Sequence, residues 1–451
     1  MQAKTLTADA QIKEIKRAPP KPSLSLFDAT ALIVGVVIGV GIFETPALVA
    51  ANSSSGIMML SLWFLGGIIS LIGALCYAEL ATAYPDAGGT YHYLKKALGK
   101  NVAFLFAWSR MTVIQTGSIA LLAFIFGDYL AQIWNFGPAS SALYAAAMII
   151  IFTALNLLGV RQGKTTQNVL TLAQILGLMS IVYIGVSSNT ISTLISTSEP
   201  LNSKNIGLAM VFVLLSYGGW NEAAFISAEI KNRDRNILRS LVLSLSIITL
   251  IYLLINFAML RGLGLENMAE SSAVAATLLR QSSGEMGAIF ISILVAICAL
   301  GSSHATIFTG ARTNYALSQD FRLFRFMDHW QEKSSTPQAA LLCQALIALA
   351  LVFLGSMTRN GFETMVEYTA PVFWFFFLLS GLALIVLRKK EPHQKRPFRV
   401  PLYPLTPLCF IFVCAYLLYS SLVYTGIGAL VGISLVALGL PILWLNQKMF
   451  E

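Results

Sequence analysis

The sequence predicts an all-α membrane protein of twelve transmembrane helices. Three observations carry that expectation. Hydrophobic residues make up 56% of the chain and charged residues only 11%, against about 25% charged in soluble domains. The mean hydropathy is +0.72. Apolar stretches long enough to cross a bilayer, about 20 residues each, recur along nearly all 451 residues, so one membrane domain fills the chain and leaves no room for a soluble one.

The spans are expected near 27–50, 57–83, 104–133, 141–159, 168–187, 206–228, 239–261, 285–317, 338–356, 363–388, 404–424 and 428–446. A polar arm, 1–26, precedes them. The stretch before Ala50 and Ala51 contains Glu44 and is too long for a cleaved signal peptide. Positive charge falls in alternate loops: Lys95, Lys96 and Lys100, then Arg161 and Lys164, then Lys231, Arg233, Arg235 and Arg239, then Arg322, Arg325 and Lys333, then Arg388 to Arg399. The opposite side has little beyond Lys204, Arg261, Arg280 and Arg359. Cytoplasmic loops carry the excess of Lys and Arg, so both termini are expected in the cytoplasm, with the chain multi-pass in the cell's plasma (inner) membrane. The net charge of +9 is thereby a topology signal, and no nucleic-acid partner is expected. Cys76, Cys298, Cys343, Cys409 and Cys414 lie in apolar segments without metal or disulfide spacing, and no cofactor is expected.

Two spans are interrupted by glycine. The first reads Gly35-Val36-Val37-Ile38-Gly39-Val40-Gly41-Ile42-Phe43. The second reads Leu215-Ser216-Tyr217-Gly218-Gly219-Trp220-Asn221. Bare peptide groups at membrane depth are tolerated only where they line protein or a cavity, and paired interruptions in corresponding halves point to a transporter's binding site. The breaks open the first and sixth spans, so the core is expected as two inverted sets of five, about 27–187 and 206–388. A basic, Pro-rich loop (389–403) and two further spans with a short tail (404–451) follow. Unwinding leaves a helix N-terminus near Ile42 and another near Asn221, which suit a carboxylate. It leaves free carbonyls near Val37, Ile38, Leu215 and Gly218, which suit an ammonium group. Together they match an α-amino acid. Read singly, Gly35 and Gly39 equally fit close helix packing.

Several polar side chains lie in the spans. His304, beside Ser302 and Ser303, is either a titrating group or a neutral packing residue. Glu222 either faces the cavity or pairs with a neighbour. Glu79 and Arg110 suit structural ion pairs. Gln115, Thr116 and Ser118 either line a vestibule or bond across helices. Trp220 either covers the site or packs, and Phe373 to Phe377 are expected to face lipid.

Five blocks resemble the amino acid–polyamine–organocation superfamily of permeases. They are the first break; Cys76 to Gly99; Asn156 to Arg161; Phe308 to Arg312; and Arg396 to Pro401. Tyr217 to Asn221 is most similar to the L-type, neutral amino acid branch. The resemblance implies a LeuT-like fold with discontinuous helices 1 and 6. It also implies a substrate carboxylate on the N–H groups of Val40 and Gly41, and an amino group on the carbonyls of Val37, Leu215 and Gly218. Within that likeness, Val40 stands where Ser is frequent and Leu215 where an aromatic often gates the site. Gln174 stands where many members carry the Lys tied to proton coupling, His304 where Asn is frequent, and Arg233 where Pro is usual.

The function expected is secondary transport of L-amino acids, neutral or apolar, by alternating access as a monomer or weak oligomer. Proton symport and amino acid exchange both stay open. Two other classes are a membrane hydrolase or acyltransferase using His304 with Ser302 or Ser303, and a sensor that binds an amino acid without moving it.

Overall fold

In a computed structural model of the chain, residues 21–187, 206–271, 273–358 and 361–450 are described. They are helical throughout, with no strand among them. Eleven single helices are long and apolar enough to cross a membrane, and a bent pair, Leu26–Val37 with Gly41–Ala51, makes the twelfth span.

Span 1 starts where Ser25 caps its first helix. The Ser25 hydroxyl accepts from the Asp28 N–H at 3.1 Å, and the Asp28 carboxylate accepts from the Ser25 N–H at 2.9 Å, which satisfies donors a helix start leaves free. The helix stops at Val37, and the axis turns 51° before resuming at Gly41. Spans 2 to 5 are Gly56–Ala83, Lys100–Ala131, Ser140–Leu158 and Val160–Ser187. Span 6 is Ile206–Glu229 and span 7 Arg233–Leu263. Span 8 lies in Val274–Asp320, where Gly284 (φ 57°) joins two helices. Spans 9 to 12 are Gln338–Met357, Thr369–Lys390, Leu405–Val423 and Ala429–Met449.

Burial orders these spans. The apolar window of span 6 is 83% buried, and those of spans 8 and 10 are 61% buried. Spans 4, 5, 9, 11 and 12 are 28–33% buried and face outward with side chains such as Ile151, Leu172, Leu346 and Phe412. The broken sixth span therefore runs through the middle of the bundle.

The basic loops meet at one end, as the charge alternation requires. Lys95 pairs with Asp320 at 2.6 Å, and Lys96 with Glu391 at 3.1 Å. The Val160 N–H donates to the Ser334 carbonyl, and Lys231 N–H to Leu24. Glu79, buried on span 2, takes two bonds from Arg388 and one from the Val400 N–H at 2.6 Å. That carboxylate pins the basic loop to spans 2 and 10, in the structural role expected of it.

Three features depart from the sequence reading. The aromatic run of span 10 turns inward: Trp374, Phe376 and Phe377 are buried and only Phe375 is exposed. The cause is a cluster, in which Trp220 lies 5.3 Å from Tyr77 and 5.5 Å from Phe377, ring centre to ring centre. Span 3 widens to a π-turn over Arg110–Ile114. The second half of span 6, Trp220–Glu229, is a 3-10 helix.

Candidate functional site

The two breaks lie against each other. A Cβ added to Gly219 would sit 2.4 Å from Val36 Cγ1, and one added to Gly41 would sit 3.4 Å from Ser216 Oγ. Gly219 has φ 114°, a value that side-chain-bearing residues rarely adopt. Thr45, one turn into the second half of span 1, meets Ser216 hydroxyl to hydroxyl at 2.7 Å. The Tyr252 hydroxyl on span 7 reaches both breaks, 2.9 Å from the Val37 carbonyl and 3.0 Å from that of Ser216. Its ring packs 5.4 Å from Trp63 and 5.1 Å from Tyr217.

The donors are open at both restarts. Val40 and Gly219, the residues before the resumed helices, give no side-chain cap. Among the described residues, the N–H groups of Val40, Gly41 and Ile42 have no acceptor, whereas Phe43 N–H bonds back to Val40. On span 6, Glu222 N–H bonds to the Gly219 carbonyl, which leaves the N–H groups of Trp220 and Asn221 in the corresponding open position.

The acceptors are more occupied than unwinding alone suggests. Val37 O accepts from Gly39 N–H as well as Tyr252, and Leu215 O accepts from Gly218 N–H at 3.0 Å. Ile38 O accepts from Gln174 Nε2 at 2.9 Å. Gly218 O alone of the four has no donor among the described residues. Ile38 O and Leu215 O each keep a second lone pair, whereas Val37 O has both engaged.

Polar side chains from spans 5, 7 and 8 thus hold the first break in shape. Gln174 also donates to Cys298 O at 3.2 Å, bridging spans 1, 5 and 8 with a neutral amide. Ser302 donates to the Gly35 and Val36 carbonyls at 3.0 and 3.1 Å. Gln115 donates across to Thr306 O at 2.6 Å, whereas Thr116 bonds within its own span to Met111 O, through the π-turn. Gln115 thus bonds across helices.

Glu222 pairs with Arg110 at 2.6 Å, both side chains being nearly fully buried. The Arg110 Nε and Asn221 Oδ1 atoms beside that pair are buried without partners. A narrow cavity of about 10 Å³ lined by Arg110, Asn221, Tyr77 and Phe373 lies there, and another of about 20 Å³ touches Gly218 and Trp220. Each has room for roughly one water.

The whole arrangement agrees with one comparison. The family model described as amino acid permease matches residues 24–436, which takes in eleven spans and the start of the twelfth. The chain belongs to the amino acid permease family. This permease is 29% identical to the b(0,+)-type amino acid transporter 1 of Mus musculus, over 91% of its own chain and 84% of that protein. It is 27% identical to the serine/threonine exchanger SteT of Bacillus subtilis, over 95% and 97%. It is 30% identical to the large neutral amino acids transporter small subunit 2 of Mus musculus, over 94% and 81%. The permease is a multi-pass membrane transporter of amino acids and not an enzyme.

The side chains of the hydrolase alternative do not engage one another. Ser302 is bonded to span 1, and Ser303 Oγ has no partner. The His304 Nδ1 atom lies 2.8 Å from Gln167 Oε1 and the ring packs edge-on against Phe152. No serine–histidine bond forms, because successive residues of one helix point in different directions. Tyr252 was missed by the sequence reading. A lone tyrosine in an apolar span carries no signal until the helix that faces it is known.

Proposed function

We propose that this permease exchanges neutral L-amino acids across the plasma membrane, with its termini and basic loops in the cytoplasm. The substrate carboxylate sits on the N–H groups of Val40, Gly41 and Ile42. Its amino group sits on the carbonyls of Gly218 and Leu215, with Val37 and Ile38 completing the pocket. The observation that carries this reading is the set of three adjacent N–H groups without acceptors at the restart of span 1, directly across from the second break. A helix start of that kind attracts a carboxylate through its free donors and positive dipole end.

Span 6 supports a neutral substrate. The nearest carboxylate on span 6, Glu222, is already paired with Arg110, so no free acidic group on that span waits for a cationic side chain. Exchange is favoured over proton symport because Gln174, an amide without a titrating proton, braces the break. The relatives described as a serine/threonine exchanger and a large neutral amino acids transporter support both parts. Alternating access would rock spans 1 and 6 against the rest.

Proteoliposomes test this. Uptake of labelled serine, threonine and leucine should require internal amino acid and be indifferent to sodium or an imposed pH gradient. Uptake into empty vesicles driven by a pH gradient would replace exchange with symport. Binding of labelled amino acid without any flux would make the protein a sensor.

A further inference from the structure

At the end of the bundle where the chain enters span 1, an open hollow of about 620 Å³ lies at the turn between spans 6 and 7. Pro22 and Ile230 form its apolar wall, and Arg233, Arg235 and Arg239 line the rest with Asp234. Three arginines against one aspartate leave a net positive site. Among the described residues, none of the three guanidinium groups has an ion-pair or hydrogen-bond partner, although ion pairs abound elsewhere at this end. The first turn of span 7 adds open backbone donors, since Asn232 gives no side-chain cap.

One lining residue, Arg239, stands at the head of an outward face of span 7. Arg239 is exposed, and the exposed Leu243 and Leu250 lie below it on the same helical face, four and eleven residues on. Charge at one end and an unpartnered apolar track beneath it is the layout of a phospholipid. Arginine clusters at a membrane interface bind phosphodiesters through paired, charge-assisted bonds.

We propose that this hollow binds the phosphodiester headgroup of an anionic phospholipid, with its acyl chains along Leu243 and Leu250. The site exists only while residues 22–24 lie against the end of span 6. Ser23 and Leu24 N–H groups donate to the Glu229 carbonyl, and Lys231 N–H donates to Leu24. A lipid seated there holds residues 22–24 beside the start of span 7.

The test uses the purified full chain in neutral detergent and soluble dihexanoylphosphatidylglycerol, dihexanoylphosphatidylcholine and inorganic phosphate as probes, with binding read by thermophoresis. The glycerol lipid should bind saturably and at least about tenfold tighter than either of the others. The variant R233Q/R235Q/R239Q should lose at least about tenfold in that affinity, while R322Q/K333Q/K389Q, which removes three basic groups elsewhere, keeps it. R239Q alone, on an exposed face, should show a smaller loss and serves if the triple variant does not fold. Equal binding of the choline lipid overturns the proposal. So does phosphate binding as tightly as the glycerol lipid, or an equal loss in the control variant.

Discussion

The Tyr252 hydroxyl lies 2.9 Å from the Val37 carbonyl, at the point where the first half of span 1 ends. The same hydroxyl is 3.0 Å from Ser216 O, so one side chain of span 7 fastens both breaks. Tyr252→Phe keeps the ring among Trp63 and Tyr217 and removes only this tie. A buried carbonyl left without its donor costs about 1–3 kcal/mol. The variant should insert and fold, with a melting point a few degrees lower, and its exchange rate should fall about tenfold if the misplaced carbonyl costs the transition about 1.4 kcal/mol. Unchanged exchange in proteoliposomes would remove Tyr252 from the machinery.

Glycine is required at the two breaks for different reasons. Gly219 has φ 114° and no room beside Val36. Gly219→Ala should therefore abolish exchange and reduce the yield of folded protein. A Cβ at Gly41 meets Ser216 only at ordinary contact distance, so Gly41→Ala should fold and keep measurable uptake. Gly41→Val adds branches over the open N–H groups and should abolish uptake while the protein still elutes as a single species from gel filtration. Full uptake by Gly41→Val would reject the backbone site for the carboxylate.

The Arg110–Glu222 pair gives a test by double substitution. Both side chains are buried, so removing one charge strands the other at a cost of about 3–5 kcal/mol, whereas an apolar pair of similar volume is near neutral. Glu222→Gln should melt well below the parent in detergent. The double variant Arg110→Met with Glu222→Met should recover most of the loss. Failure of the second change to restore stability would show that the pair is not the source of the defect.

Outside the spans, His92 lies 3.5 Å from Asp86 on the short helix Thr90–Leu98. Burial holds its imidazole below its ordinary value, outweighing the attraction of Asp86. The folded state thus resists protonation that the unfolded chain accepts near pH 6.5. This contribution to stability is present above that pH and is lost as pH falls further. The melting point should drop between about pH 7.5 and 5.5, and His92→Asn should flatten the drop. Parallel pH profiles for the two proteins would count against His92.

Much of this arrangement could be read from residues alone, and the limits have physical causes. The breaks announced themselves because Gly39, Gly41, Gly218 and Gly219 interrupt apolar runs, and the topology did because Lys and Arg alternate between loops. Span 12 and span 8 were placed within a few residues for the same reason. What the chain does not display is which residues face each other across the bundle. Nothing in the local sequence marks the 3-10 form of Trp220–Glu229 or the π-turn at Arg110. The inward turn of Phe376 and Phe377 depends on Trp220, more than 150 residues away. Pairing is the usual fate of an acidic group at that depth, but its partner, Arg110, stands 112 residues away in the chain.

His304 separates exchange from proton coupling within the site. Its Nδ1 atom faces a neutral amide, Gln167 Oε1, and its ring packs on Phe152. Gln167 leads on through Thr171 to the Ala31 carbonyl on span 1, a chain of neutral hydrogen-bonding groups that braces the first half of that span. No carboxylate or cation touches the ring among the described residues, so nothing there pairs with a charged imidazole. His304→Asn keeps a hydrogen-bonding side chain and loses the ring. It should lower the melting point, because a buried aromatic contact is lost, and leave the pH dependence of exchange between about pH 5.5 and 7.5 unaltered. If uptake by the parent rises as pH falls and the variant loses that rise, His304 carries a proton during the cycle and symport displaces exchange.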